Sequence, residues 1–185
     1  MLQSGKQIPH GRIQMVLPGS EIPEWFGDKG IGSSVTIQLP SNCHQLKGIA
    51  FCLVFLPPRH SHDMPYEFDD RSYVHVNFDY HVKSKNGEND GDDEVVLASQ
   101  GGLAVLGAWK TCDSDQMSLH YSLGLVYFLR KYSGNEVTFK FYHHEVHNMA
   151  RKVGNEIQRP FELKSCGVYL HFDENRPADK SSEEN

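Results

Sequence analysis

Between residues 73 and 82 the chain alternates without a break: Val74, Val76, Phe78, Tyr80 and Val82 are separated by His75, Asn77, Asp79 and His81. Successive side chains of a strand point to opposite faces, so this pattern sorts into one apolar and one polar face. A helix would scatter the same residues around its circumference. The same period runs through Val35, Ile37 and Leu39, set against Ser34, Thr36 and Gln38 and stopped at Pro40. It recurs in Val137, Phe139 and Phe141, set against Thr138, Lys140 and Tyr142. Residues 49–56 are instead apolar at every position and end at Pro57-Pro58, the pattern of a strand buried on both faces. Residues 13–17, 94–98, 124–129 and 167–172 are read as further strands.

No stretch of about 12 residues carries a sustained helical stripe, and the best short-helix candidate is 144–155. Clusters of Gly, Pro, Asn and Asp separate the short strands. The predicted fold is therefore all-β: an antiparallel two-sheet β-sandwich with long loops and at most a short helix. A chain of 185 residues suits one domain. It is expected over residues 13–173, after an N-terminal linker at 1–12 and before a polar tail at 174–185 expected to be disordered.

Charge and spacing exclude several roles. With 18 Lys+Arg against 24 Asp+Glu the formal net charge is -6, which repels phosphate backbones and disfavours nucleic acid as a partner. The apolar run at 49–56 is far shorter than the ~20 residues of a membrane-spanning helix, so no membrane partner is expected. The first 12 residues hold no signal-like apolar run, and no Asn-x-Ser/Thr site occurs, so a cytoplasmic or nucleo-cytoplasmic location is expected. Cys43, Cys52, Cys112 and Cys166 form no C-x-x-C pair and are expected to be reduced, with Cys52 packing as a small hydrophobe.

Candidate chemistry is sparse. In residues 83–94, placing Gly91 at the invariant glycine of a calcium loop puts Asn86, Glu88 and Asp90 at the first ligand positions. The bidentate Glu position then falls on Leu97, so the segment reads as a solvated hairpin tip turning at Asn86-Gly87. His143-His144-Glu145-Val146-His147 is not H-E-x-x-H, and it reads as a His-rich strand end or loop rather than a metal site. Gly30-Ile31-Gly32 lacks the third glycine of a dinucleotide fingerprint, and no nucleophile elbow or P-loop occurs. Glu21 and Glu24 beside Trp25 suggest a glycosidase pair, but across Ile22-Pro23 they read as flanks of a structural corner. No catalytic residue, metal or cofactor is expected.

The most distinctive segment is Val16-Leu-Pro-Gly-Ser-Glu-Ile-Pro-Glu-Trp-Phe26, followed by Gly32-Ser-Ser-Val-Thr-Ile-Gln-Leu-Pro40. Pro18, Gly19 and Ser20 end a strand in a turn, Pro23 limits the backbone, and Ile22, Trp25 and Phe26 present large apolar surface. Such a corner is expected to pack both aromatic rings under a sheet edge as a hydrophobic plug. These residues resemble the opening of the C-terminal jelly-roll/Ig-like domain of plant TIR-type nucleotide-binding leucine-rich-repeat immune receptors. The resemblance continues in order through Gly48-Ile-Ala-Phe-Cys-Leu-Val54 and Ser114-Asp-Gln-Met-Ser-Leu-His-Tyr121, where Gln116 stands in place of the usual His. It extends to Glu136-Val-Thr-Phe-Lys-Phe141 and Lys164-Ser-Cys-Gly-Val-Tyr-Leu170.

The resemblance implies a non-catalytic recognition module that works with the leucine-rich repeats of the same receptor to bind a pathogen effector protein. It further implies that binding triggers tetramer assembly, in the full-length receptor only, and that NAD cleavage belongs to a TIR domain that these residues do not contain. Contact residues do not follow from the family motifs. On physical grounds they are expected on long loops rich in Arg, His and Tyr: Arg59, His60, His62 and Tyr66, and His143, His144, His147 and Arg151. A carbohydrate-binding β-sandwich, with Trp109 and loop Tyr and His side chains stacking on sugar rings, is the alternative.

Overall fold

The computed structural model describes residues 12–57, 59–60, 73–83, 94–106, 113–143, 157–159 and 161–173. The strands among them are β1 (Arg12–Pro18), β2 (Asp28–Ile31), β3 (Ser34–Gln38), β4 (Leu46–Leu56), β5 (Arg59–His60), β6 (Tyr73–Lys83), β7 (Glu94–Leu106), β8 (Gln116–Ser122), β9 (Glu136–His143), β10 (Ile157–Arg159) and β11 (Glu162–Phe172). One short helix, α1 (Gly124–Leu129), lies between β8 and β9. A five-stranded sheet has the order β1-β8-β4-β11-β2 and a four-stranded sheet the order β3-β9-β6-β7, while β10 and β5 form a separate ribbon. The described pairings are antiparallel. The all-β sandwich expected from the periodicity is the observed architecture.

The two sheets bury each other's apolar faces. From β4 come Ile49, Phe51, Leu53 and Phe55, from β6 Val76, Phe78, Tyr80 and Val82, and from β9 Val137, Phe139 and Phe141, all buried. The Phe51 ring sits at the centre, 5.3 Å from Phe78, 5.2 Å from Phe139 and 5.5 Å from Phe141. Each such ring contributes about 2–3 kcal/mol by leaving water. The continuous apolar run of β4 is explained as read: Cys52 and Val54, on its other face, are buried too.

One side of the sandwich is closed by the hairpin from β2 to β3, which passes from one sheet to the other. Gly32 at its tip has φ +73, a left-handed conformation that costs glycine least. The Gly32 amide donates to the Lys164 carbonyl in β11 (2.7 Å), and the Ser33 carbonyl accepts from the Phe141 amide in β9 (2.7 Å). A two-residue turn thus ties the two sheets together.

Residues 124–129 are not the strand their apolar run suggested but the helix α1. Leu125, Val126 and Leu129 are buried and Tyr127 and Phe128 exposed, a helical spacing that a six-residue apolar run does not reveal by itself. The helix caps one end of the sandwich, where the Arg130 guanidinium donates to the Leu46 carbonyl (2.7 Å). Strands β2, β5, β8 and β10 were not read from the pattern, and β7 runs on past 98 to Leu106. β8 escaped detection because its core-facing side carries Ser118 and His120, both buried, while Met117, Leu119 and Tyr121 point outward.

Candidate functional site

Four of the stretches that carry the resemblance meet in the five-stranded sheet. The segment at 16–26 leaves β1, 48–54 lies in β4, 114–121 leads into and forms β8, and 164–170 lies in β11. After Pro18 the Gly19 amide donates to the Asp115 carbonyl (3.2 Å), and the Phe26 amide closes a turn onto the Pro23 carbonyl (3.1 Å). The Lys29 ammonium donates to the Ile22 carbonyl (3.3 Å), holding the loop against β2. Ile22 and Phe26 settle on Gly167 of β11, where a Cβ would lie 2.8 Å from Ile22 Cγ2 and 3.2 Å from Phe26 Cδ1. The corner therefore needs glycine there for room, not for backbone freedom.

The expectation that both rings of the corner are plugged under the sheet is corrected. Phe26 is the plug, at 1% exposure, whereas Trp25 is 56% exposed. Its ring lies over Phe26 (4.3 Å between centroids) and edge-on to Tyr169 (5.4 Å), on the outer surface of the sheet. Neighbouring residues of a tight turn direct their side chains differently, and the floor at Gly167 receives one ring. Glu21 and Glu24 are exposed at this corner, as are Pro18 and Ser20.

Further along the same face the Tyr121 hydroxyl and His171 Nδ1 share a 2.7 Å hydrogen bond. The Tyr121 ring lies across Gly48, where any Cβ would run into its hydroxyl. Burial pushes the Tyr121 hydroxyl above the usual tyrosine range, against a smaller opposing pull from Lys47. Cys43, Cys52 and Cys166 are free and buried. Burial pushes the Cys52 and Cys166 thiols up to about 12, so at neutral pH both are protonated core side chains rather than nucleophiles.

Of the loop residues singled out as contacts, Arg59 and His60 form β5 and pair with β10, His60 opposite Ile157 and Arg59 opposite Arg159. This ribbon ties the connection after β4 to the connection before β11. His143 is the last residue of β9, opposite Val76. His62, Tyr66, His144, His147 and Arg151 lie outside the described residues. So do Trp109, Cys112, the Asn86-Gly87 turn, the helix candidate at 144–155, the segment 1–11 and the tail. Among the described residues no three His, Cys, Asp or Glu side chains converge as a metal set. No helix among them is long and apolar enough to cross a membrane.

Sequence reading missed one exposed cluster. On α1, Tyr127 and Phe128 face solvent, with the Lys131 ammonium 5.1 Å from the Tyr127 ring. The i, i+4 spacing of Leu125 and Leu129, ahead of a turn at Gly134 (φ +78), was the signal that places them on a helix.

A two-sheet antiparallel sandwich whose aromatic corner is seated on a glycine of a central strand defines an all-β module with a built-in structural signature. A family model describing the C-JID domain matches residues 17–176, and the chain belongs to that family, the domain that follows the leucine-rich repeats in TIR-type plant immune receptors. No curated protein matches the chain.

Proposed function

We propose that this domain is a non-catalytic protein-recognition module that helps the leucine-rich repeats of its receptor bind a pathogen effector and so initiate defence signalling. The observation that carries the reading is the β5–β10 ribbon. It joins two connections, far apart in sequence, that are rich in Arg, His and aromatic residues. Such side chains make effective interface anchors, and loops held by a rigid sheet can vary without disturbing the core. No cofactor is needed for this role.

The test is alanine replacement in two sets, Arg59, His60, His62 and Tyr66, and His143, His144, His147 and Arg151, within the full-length receptor. Each variant is co-expressed with candidate effectors and scored for cell death, and the isolated domain is melted in parallel. The expected outcome is loss of response to a cognate effector with an unchanged melting temperature. A full response from both sets, or collapse of the fold, would refute it.

A further inference from the structure

The outer faces of the two sheets differ in kind. On the four-stranded sheet, Thr36, Gln38, Thr138, Lys140 and Asp79 look outward; the Thr36 and Thr138 hydroxyls are 2.8 Å apart, and the Tyr142 hydroxyl donates to Asp79 (3.3 Å). At the described positions that is an ordinary wetted surface. On the five-stranded sheet the alternation of β1 is reversed: Val16 packs on the core while Ile13, Met15 and Leu17 are 63%, 51% and 40% exposed. Pairing sets Met15 beside Leu119 and Leu17 beside Met117 of β8, whose larger apolar side chains also point outward. Trp25 and Tyr169, at 56% and 36%, continue the face across β11.

We infer that this face packs against the same face of a second copy of the chain, forming a two-fold dimer. Two observations favour that occupant. The five side chains expose roughly 500 Å² between them, close to the apolar share of the ~800 Å² that each partner contributes to a standard interface. β1 carries no charge from Ile13 to Leu17, so its outward side chains bring no like-charge repulsion to an apolar contact. The opposite edge, β2, is short and begins with Asp28 and Lys29. Of the charged groups near the face, Lys47 is paired with Asp173 (3.0 Å) and Lys164 with Asp115 (2.7 Å), while Glu21, Glu24 and Lys29 are exposed around the corner and form its polar rim. An isologous contact needs no second complementary surface. The inference is independent of the loop reading above, since a chain that binds no effector can still pair in this way.

Sedimentation velocity on the whole chain from about 1 to 200 µM tests it, in the range where small interfaces associate. Wild type is expected to shift from monomer to dimer, Met15→Lys and Trp25→Lys each to weaken association more than tenfold, and Tyr127→Lys to leave it unchanged, all with intact far-UV dichroism. Hydroxyl-radical footprinting of the wild type is the companion measurement, with oxidation of Met15 and Trp25 expected to fall as concentration rises. A wild type that stays monomeric throughout, concentration-independent oxidation, or equal sensitivity to Tyr127→Lys would overturn the inference. Sensitivity to Met15→Lys but not Trp25→Lys would overturn it too, since that outcome belongs to edge-to-edge pairing of β1 strands.

Discussion

Replacing Phe26 or Trp25 by alanine separates a plug from the residue that lies over it. Phe26 is 1% exposed and stands on Gly167, so nearly its whole ring, ~200 Å², has left water. At ~25 cal/mol per Å² that burial is worth at most about 5 kcal/mol, and an unfilled cavity adds to the loss. Trp25 is larger but 56% exposed, so only ~100 Å² of it is covered and part of that survives truncation. We expect Phe26→Ala to cost about 4 kcal/mol and Trp25→Ala about 1–2 kcal/mol. For a marginally stable domain the first is a large fraction of the total. Equilibrium urea unfolding, read by far-UV dichroism so that the lost tryptophan does not bias the signal, measures both, with the m-value as a check on two-state behaviour. Equal losses, or a larger loss for Trp25→Ala, would refute the assignment of Phe26 as the plug.

Gly167→Ala should destabilise by about 1–3 kcal/mol because its Cβ meets Ile22 and Phe26, whereas Gly27→Ala, with nothing within 4 Å, should change stability little; thermal melts of the two give the contrast. In α1, Leu129→Ala should cost about 2–5 kcal/mol and Tyr127→Ala less than about 0.5, and comparable losses would argue against the helical register. Cys52 and Cys166 hold their protons in the fold beyond the pH at which free thiols ionise. Their contribution is therefore full below about pH 9 and declines toward pH 12, by about 1.4 kcal/mol per pH unit for each thiol. Urea midpoints from pH 8 to 11 should follow that sign, with a shallower decline in Cys52→Ala. Iodoacetamide labelling at pH 7.5, read by peptide mass spectrometry, should leave Cys43, Cys52 and Cys166 unmodified until urea is added.

Strands that face water on one side and core on the other were legible from their alternation. β3, β6 and β9 bury the residues their period assigned, Val35 and Ile37, Val76 to Val82, and Val137 to Phe141. β4 was legible as a run buried on both faces. α1 was not, because six apolar residues fit either period until neighbours choose one. β8 was not, because small or polar Ser118 and His120 face the core beside Leu53 and Phe51 of β4 while its larger apolar side chains look outward. Of the candidate site, the corner at Pro18–Phe26 and the loop histidines were visible as composition. That Arg59 and His60 pair with the 157–159 segment required the fold.

By itself, then, the order of residues determined the two-layer strand architecture and the corner motif, because side-chain period and turn chemistry are local properties. Only the tertiary structure decided that Phe26 rather than Trp25 is buried and that one sheet presents an apolar outer face. Both depend on what lies across from a residue, a bare glycine at 167 in one case and polar core-facing positions on β8 in the other, and a linear pattern does not encode its opposite neighbour.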